Sequence, residues 1–272
     1  MTDDGVAQIH DILRSALIEV DRVLTEAGCR YFLAYGTALG ARRGGDFIDW
    51  DVDADLYLHS QDRPRALRAL RTELAGSRFA VEAPGDPGYE YLFPRVVLRG
   101  VHHTLIRVDL FPLDAAPDPA PLQWVLTRLL RATNKAHMIK AMDLAERRHY
   151  GTAKNAVARG AKAVLSVVPL RAIAAAHRAV VSAAGRLASG RTLVNSSGSY
   201  GPREYFPAAW FEHGSTLPLG QHAFAAPAQV DAYLAHVYGD FLTPPPSEAI
   251  AHELEFARRH YVEPLRLAGV VE

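Results

Sequence analysis

Three aspartates alternate with apolar residues in one short segment of the chain. Asp51, Asp53 and Asp55 would share one face of a strand over residues 51–58, with the apolar side chains on the opposite face. Carboxylates this close repel one another and are costly to desolvate unless a cation lies between them. Because Mg²⁺ takes oxygen ligands and keeps water or phosphate in its other positions, two or three carboxylates are enough to hold it.

Asp109 is the candidate for a third ligand. It lies in a second β-like run, residues 105–111, between apolar neighbours. Its role is open, since a carboxylate there could bind the metal or accept a proton as a general base. The pattern of Asp53 and Asp55 also has a second interpretation, because exposed edge strands carry carboxylates that face water and deter aggregation.

A glycine turn precedes the aspartates. Residues 31–35 predict a short buried strand that ends at Gly36 and Thr37, and residues 38–42 predict a turn of helix. Backbone N–H groups and a hydroxyl at such a turn can bind an anionic phosphate. A phosphate site beside paired carboxylates is the minimum needed for phosphoryl or nucleotidyl transfer, where catalysis is mainly positioning and charge neutralisation.

Helical and β-like patterns are both present around these residues. Apolar residues at three- and four-residue steps predict a helix over 6–27, and a second helix is predicted over 63–74. β-like runs cover 89–98 and 105–111, and the Pro-rich residues 115–121 end this half of the chain. We therefore predict an α+β fold, in which a mixed β-sheet is flanked by helices and followed by a helical middle block and a C-terminal region of helices and loops.

Charge is distributed unevenly along the chain. The 272 residues include 30 basic and 30 acidic residues, so the whole chain gives no argument for a nucleic-acid partner. Residues 122–191, however, carry 13 basic and two acidic residues, a local charge of +11. This basic block predicts helices with cationic faces, which either face solvent or bind an anionic membrane surface or a phosphate-rich substrate.

The cysteine content and the apolar segments of the sequence give an expectation for the cellular compartment. The single cysteine, Cys29, leaves no partner for a disulfide within the chain and favours a reducing compartment. The N-terminal residues lack the basic and apolar segments of a secretory signal, and no uninterrupted run of about 20 apolar residues is present. We expect a cytoplasmic protein, with residues 122–191 as its route to peripheral membrane contact.

Five ordered segments resemble the signature of the LicD family, which includes bacterial phosphocholine transferases and is related to fukutin and fukutin-related protein. The segments are Tyr35–Arg43, Phe47–Asp55, Val108–Asp114, Tyr200–Phe211 and Tyr238–Pro246, and the resemblance extends over residues 5–257. It implies a polymerase-β-like nucleotidyltransferase fold. It also implies metal-dependent transfer of a phosphoalcohol, of the phosphocholine or polyol-phosphate type, from a CDP-activated donor to a sugar hydroxyl of a glycan or glycoconjugate, with Mg²⁺ or Mn²⁺ as cofactor.

The same resemblance assigns roles to single residues. Asp53, Asp55 and Asp109 fall at the family's metal-binding aspartates. Gly36 and Thr37 fall at its phosphate-contacting turn. These residues are therefore expected to bind the metal and the donor.

The family resemblance also implies roles for further residues, and some of these residues have a second interpretation. Arg43 falls at the arginine after the glycine turn, and Arg95 falls where the family often has a basic residue that could neutralise donor phosphate; a surface ion pair is the other interpretation of Arg95. Asp51 is expected to support the metal ligands, or to act as an N-cap or face solvent.

Two positions depart from the family pattern, since Val52 and Leu219 replace acidic residues. The family commonly has a glutamate at the position of Leu219, so the role of that glutamate in donor or acceptor binding is in doubt for this chain.

These predictions divide the chain into a nucleotidyltransferase-like catalytic core over residues 1–121, the basic helical block over 122–191, and a family region over 192–272 that packs on the core. The expected partners are a CDP-linked small-molecule donor and a glycan or lipid-linked glycan acceptor. Two other functions are open: a nucleotidyltransferase that moves an NMP from an NTP to a small acceptor, and a non-catalytic module that binds nucleotides or glycans.

Overall fold

The first helix packs an apolar stripe against the rest of the protein. The computed structural model describes residues 4–87, 89–141, 159–212 and 214–272. Helix α1 (Asp4–Glu26) buries Ile9, Leu13 and Leu17 in the main core, which confirms the helix predicted over residues 6–27. This core also includes side chains from the central strands and from the C-terminal helices.

A mixed sheet forms the centre of the fold. Its first five strands are β1 (Tyr31–Leu33), β2 (Ala54–His59), β3 (Phe79–Glu82), β4 (Arg95–Leu98) and β5 (Arg107–Ala116). They lie in the order β1-β2-β5-β4-β3, and β2 and β5 are parallel whereas the other neighbours are antiparallel. A mixed sheet with helices packed beside it is an α+β architecture, which confirms the predicted fold class.

Strands from the last third of the chain complete this sheet. β6 (Thr192–Asn195) pairs with β5 at residues 113–116, and β7 (Tyr205–Pro207) pairs with β6. One edge of β5 is therefore shared by β4, which pairs at residues 107–109, and by β6. A separate hairpin consists of β8 (Ser215–Leu219) and β9 (His222–Ala226).

Helices surround the sheet. They include α2 (Tyr35–Gly44), α3 (Arg63–Glu73), α4 (Ala120–Ala141), and the helices Leu170–Arg186, Val230–Tyr238, Ser247–Ala257 and Glu263–Leu267. α4 packs against Leu170–Arg186 in a smaller core that contains Leu126, Leu130 and Ala184.

Several predicted bounds were wrong. β2 starts at Ala54, so Asp51 and Asp53 precede the strand rather than lie in it. The predicted run 89–98 is a strand only over Arg95–Leu98. Tyr35 begins α2 with a φ of 40° instead of ending a strand, because tertiary hydrogen bonds to its backbone and side chain outweigh its β-propensity.

The described part of the basic block is helical except at residues 168–169 and 187–191, and Arg147, Arg148 and Lys154 lie outside the described residues. Within the described ranges, no single helix is both long and apolar enough to cross a membrane. The helical segments Arg159–Val167 and Leu170–Arg186 reach that length and composition only as a pair, and they are bent by 88°. The division into three segments stays a prediction.

Candidate active site

Pairing of two parallel strands brings the aspartates together. Asp55 near the start of β2 lies directly beside Asp109 on β5, and Asp53 comes just before β2. One carboxylate oxygen from each of the three residues lies within 4.8 Å of the other two. Because β2 is bordered by β1 and β5, it is an interior strand, and the edge-strand interpretation of the aspartates was wrong.

Asp51 adjoins this cluster. Its Oδ1 accepts a hydrogen bond from the N–H of Val52 at 3.2 Å, and its side chain also contacts Asp53. Its backbone carbonyl lies 2.7 Å from Nε2 of His10 on α1. Val52 itself points into the main core, so the departure from the family pattern at this position leaves the carboxylates in place.

Two arginines, the buried Arg95 and the partly buried Arg107, neutralise part of the cluster. Arg107 pairs with Asp53, and its Nε lies 3.7 Å from Oδ2 of Asp109. Arg95 is 4% exposed, with its Nε 2.5 Å from Oδ1 of Asp109 and its guanidinium 3.6 Å from the ring centre of Tyr91. The surface ion pair considered for Arg95 is therefore a buried one, and the role of Arg107 at the site was missed from the sequence.

The site has more negative than positive charge. Burial raises the pKa of Asp55 well above its usual range, and the charges of Asp53 and Asp109 raise it further. Burial likewise raises the pKa of Asp51, with Asp53 next in effect. Among the described residues, no side chain forms a hydrogen bond or ion pair with the Asp55 carboxylate. The donor set suits a divalent cation, which would supply the missing positive charge.

The glycine turn positions the aspartates. A Cβ on Gly36 would lie 2.3 Å from Oδ2 of Asp51, so glycine lets the chain pass this close without displacing the carboxylate. The hydroxyl of Thr37 is buried and accepts a hydrogen bond from the N–H of Asp55 at 2.8 Å. Thr37 therefore fixes the start of β2, and Gly36 faces the cavity.

A cavity of about 350 Å³ opens over the carboxylates. Asp51, Asp53, Asp55, Asp109 and Gly36 line its floor. The opposite wall comes from the last third of the chain, through residues 197–200 and Tyr238. The serine and glycine residues of this wall carry no distinctive spacing, so sequence analysis missed them.

Glu204 anchors that wall. It is buried, and its Oε1 accepts a hydrogen bond from the N–H of Tyr200 at 2.8 Å. Its other oxygen accepts a hydrogen bond from the hydroxyl of Tyr35, to which Nδ2 of Asn195 donates at 2.8 Å. The first residue of α2 and the C-terminal wall are thus joined through one carboxylate.

A second cavity, of about 540 Å³, shares residues 197–199 with the first. Its walls include the side chains of Tyr91, Phe93, Asn134 and Lys135. Aromatic faces beside amide and cationic groups suit a sugar or another polar ring.

Arg43 is placed differently from the other predicted site residues. It lines a third cavity with Trp50 and Pro244. Among the described residues that line the carboxylate cavity, Arg43 is absent. Its predicted contact with substrate stays a prediction.

The geometry defines a carboxylate site on a mixed sheet, and comparisons with known proteins match the segment that carries it. Residues 28–118, which include β1–β5, match the family described as LicD/FKTN/FKRP, nucleotidyltransferase domain. This match confirms the resemblance to the LicD family over this segment. Over 103 residues, 37% of this chain, it is 39% identical to the ribitol 5-phosphate transferase FKRP of Homo sapiens and equally to that of Mus musculus. The match covers 20% of the length of each of these relatives.

Proposed function

We propose that this protein transfers a phosphoalcohol from a CDP-activated donor to a sugar hydroxyl of a glycan. The observation that carries the proposal is the convergence of Asp53, Asp55 and Asp109 within one cavity, on the segment that matches the LicD family. The similarity to a ribitol 5-phosphate transferase supports a phosphoalcohol as the transferred group.

Asp53, Asp55 and Asp109 would hold Mg²⁺ or Mn²⁺. When bound, such an ion neutralises charge on the diphosphate of the donor. The protein contributes the backbone at Gly36, which can approach the phosphate because no Cβ intervenes. Arg107 keeps the carboxylate of Asp53 paired and in position.

The reaction needs a group that accepts one proton. The acceptor oxygen forms a bond to the phosphorus that carries the alcohol, the bond between the two donor phosphates breaks, and CMP leaves with that electron pair. The hydroxyl proton passes to a nearby carboxylate, and Asp109 serves either as this proton acceptor or as the third metal ligand. We place the acceptor sugar in the second cavity, where Tyr91 and Phe93 offer aromatic faces.

Transfer of an NMP from an NTP is a second candidate, because the same carboxylates would serve it. The purified protein is incubated with CDP-ribitol, CDP-choline or CTP, together with Mg²⁺ or Mn²⁺ and a sugar acceptor. Release of CMP supports the proposed transfer, whereas release of pyrophosphate from CTP supports the nucleotidyltransferase.

A matched pair of variants separates both enzymes from a non-catalytic binding module. Asp55→Asn should abolish turnover with the fold retained, and EDTA should do the same to the wild type. Asp240→Asn removes an exposed aspartate whose carboxylate bonds to Thr243, and it should leave turnover unchanged. Full turnover by Asp55→Asn would contradict the enzymatic proposal.

A further inference from the structure

One surface of the protein is strongly basic, and only Arg191 at its end pairs with a carboxylate, that of Asp118, among the described ion pairs. We define the basic helical surface as helix α4 and residues 159–191. These segments contain ten basic residues and no aspartate or glutamate: Arg128, Arg131, Lys135, Lys140, Arg159, Lys162, Arg171, Arg178, Arg186 and Arg191. The carboxylate site does not use this surface as a whole, because only Arg131 and Lys135 reach the second cavity.

Exposed apolar side chains are concentrated on the same surface. Of the twelve large apolar residues that are exposed in the described part of the chain, eight lie between residues 122 and 187. Val164 is 76% and Val167 84% exposed, next to the exposed Val168. Single exposed apolar residues need no explanation, but a concentration of them marks a site of interaction.

The structure holds these valines at a fixed tip. Nζ of Lys140, at the end of α4, donates hydrogen bonds of 2.8 Å to the carbonyls of Leu165 and Ser166. The chain then bends by 88° into the helix Leu170–Arg186. The tip valines, Val164, Val167 and Val168, therefore project from a turn that is tied to α4.

The helix behind the tip is part of the folded body. Ile173, Ala174, His177 and Ala184 are buried, and the helix packs against both α4 and β5. These contacts hold the helix against the folded body. The arrangement has apolar side chains at a tip and cations around it, which is how proteins bind at the interface of an anionic membrane.

We propose that the basic helical surface docks on an anionic lipid bilayer, with Val164 and Val167 inserted below the headgroups. Charge complementarity selects this occupant, because a second copy of the chain that met it through the same positive surface would repel the first. The proposal does not depend on the reaction at the carboxylate cavity.

Vesicle sedimentation of the full chain tests the proposal. At low salt, the wild type should sediment with vesicles that contain phosphatidylglycerol and not with phosphatidylcholine alone, and high salt should weaken the binding. Val164→Glu combined with Val167→Glu should weaken it by about tenfold or more. The control Leu267→Glu, at a position 90% exposed outside the surface, should bind like the wild type.

A second double variant tests the basic residues of the surface without changing the tip valines. Arg171→Glu with Arg186→Glu changes two exposed positions and should also weaken binding to the anionic vesicles, and circular dichroism checks that each variant is folded. Absence of binding at low salt, or equal binding of wild type and both double variants, would overturn the proposal.

The wild type could also self-associate without binding vesicles. If the valine variant loses this self-association, the surface is a protein contact and the proposal is overturned. Turnover on a soluble acceptor should be unchanged in all of these variants, which separates failure here from failure of the proposed reaction.

Discussion

The hydroxyl of Tyr35 donates a hydrogen bond to the carboxylate of Glu204, and both side chains are buried. Tyr35 has a φ of 40°, in the left-handed region that residues with side chains rarely adopt. Its N–H donates to the hydroxyl of Tyr233 at 2.8 Å. Contacts from distant parts of the chain thus hold a strained residue directly before the glycine of the candidate active site.

Substitution of Glu204 should therefore destabilise the protein in a graded way. Glu204→Ala leaves the hydroxyl of Tyr35 and the N–H of Tyr200 without their acceptor, so we expect the free energy of unfolding to fall by about 2 kcal/mol or more. Glu204→Gln keeps an oxygen for Tyr200 and should cost less. Urea unfolding followed by circular dichroism measures both, and equal losses would argue against the hydrogen bonds as the cause.

Removal of one site carboxylate should stabilise the metal-free protein. Burial raises the pKa of Asp55 above its value in the unfolded chain, so the folded state binds the proton more tightly and the ionised carboxylate opposes folding at neutral pH. In EDTA at pH 7, Asp55→Asn should unfold at a higher temperature than the wild type, and the difference should shrink as the pH falls through the raised pKa. A lower melting temperature would contradict this.

Asp118 is a control for Asp55, because its pKa is shifted in the opposite direction. Hydrogen bonds from Ser189, Arg191 and Thr192 lower its pKa to about 2, so its ionised form favours folding above the unfolded pKa of about 4. Asp118→Asn should lower the melting temperature at pH 7, and its effect should fade as the pH falls toward 2.

Two glycines near the site should respond differently to alanine. In Gly36→Ala the new Cβ would meet Oδ2 of Asp51 at 2.3 Å, which forces the carboxylate out of place. We expect turnover to fall by at least about tenfold, since small misplacements at a reacting site are costly. Gly44→Ala adds a methyl group with no atom within 4 Å and should keep wild-type turnover. Equal turnover of the two variants would show that the approach at Gly36 is unimportant.

Acid should weaken the fold through His177. Burial lowers the pKa of His177 to about 4, and its Nδ1 lies 2.9 Å from Oγ1 of Thr133. In the unfolded chain the pKa of a histidine is about 6.5, so below this pH protons bind the unfolded state more tightly than the folded state. The free energy of unfolding is therefore unaffected by this titration above pH 6.5 and should fall by up to about 3 kcal/mol as the pH falls toward 4. His177→Asn should flatten the dependence of the unfolding free energy over this range. The exposed His252 offers a control, and His252→Asn should leave the slope as in the wild type.

The carboxylate cluster was predictable because its determinants are local. Asp51, Asp53 and Asp55 are close in sequence, so their side chains stay near one another whether they lie in a strand or just before one. The second case applies to Asp51 and Asp53, because β2 starts at Ala54. Asp109 was a candidate both from its own β-like run and from the family resemblance, and the parallel pairing of two interior strands explains why it lies beside Asp55.

The other side of the site could not be predicted, since it depends on contacts between residues far apart in sequence. Glu204 looks like any surface glutamate in the sequence, yet its partner Tyr35 is 169 residues away. The buried pairing of Arg95 depends on the register between β4 and β5. Arg43 occupies the position that the family resemblance assigns to a site arginine, but in the structure it lines another cavity.

The hydrogen bond between Tyr35 and Tyr233 also sets an order of events during synthesis. The segment that matches the LicD family ends at residue 118, but the turn at Tyr35 gains its last partners only after residue 233 has left the ribosome. Before then, β5 also lacks β6 along residues 113–116. Contacts this distant in sequence are slow to form, so we expect an isolated fragment of residues 28–118 to remain incompletely folded, and a nascent chain to complete its active site only after residue 233 has emerged.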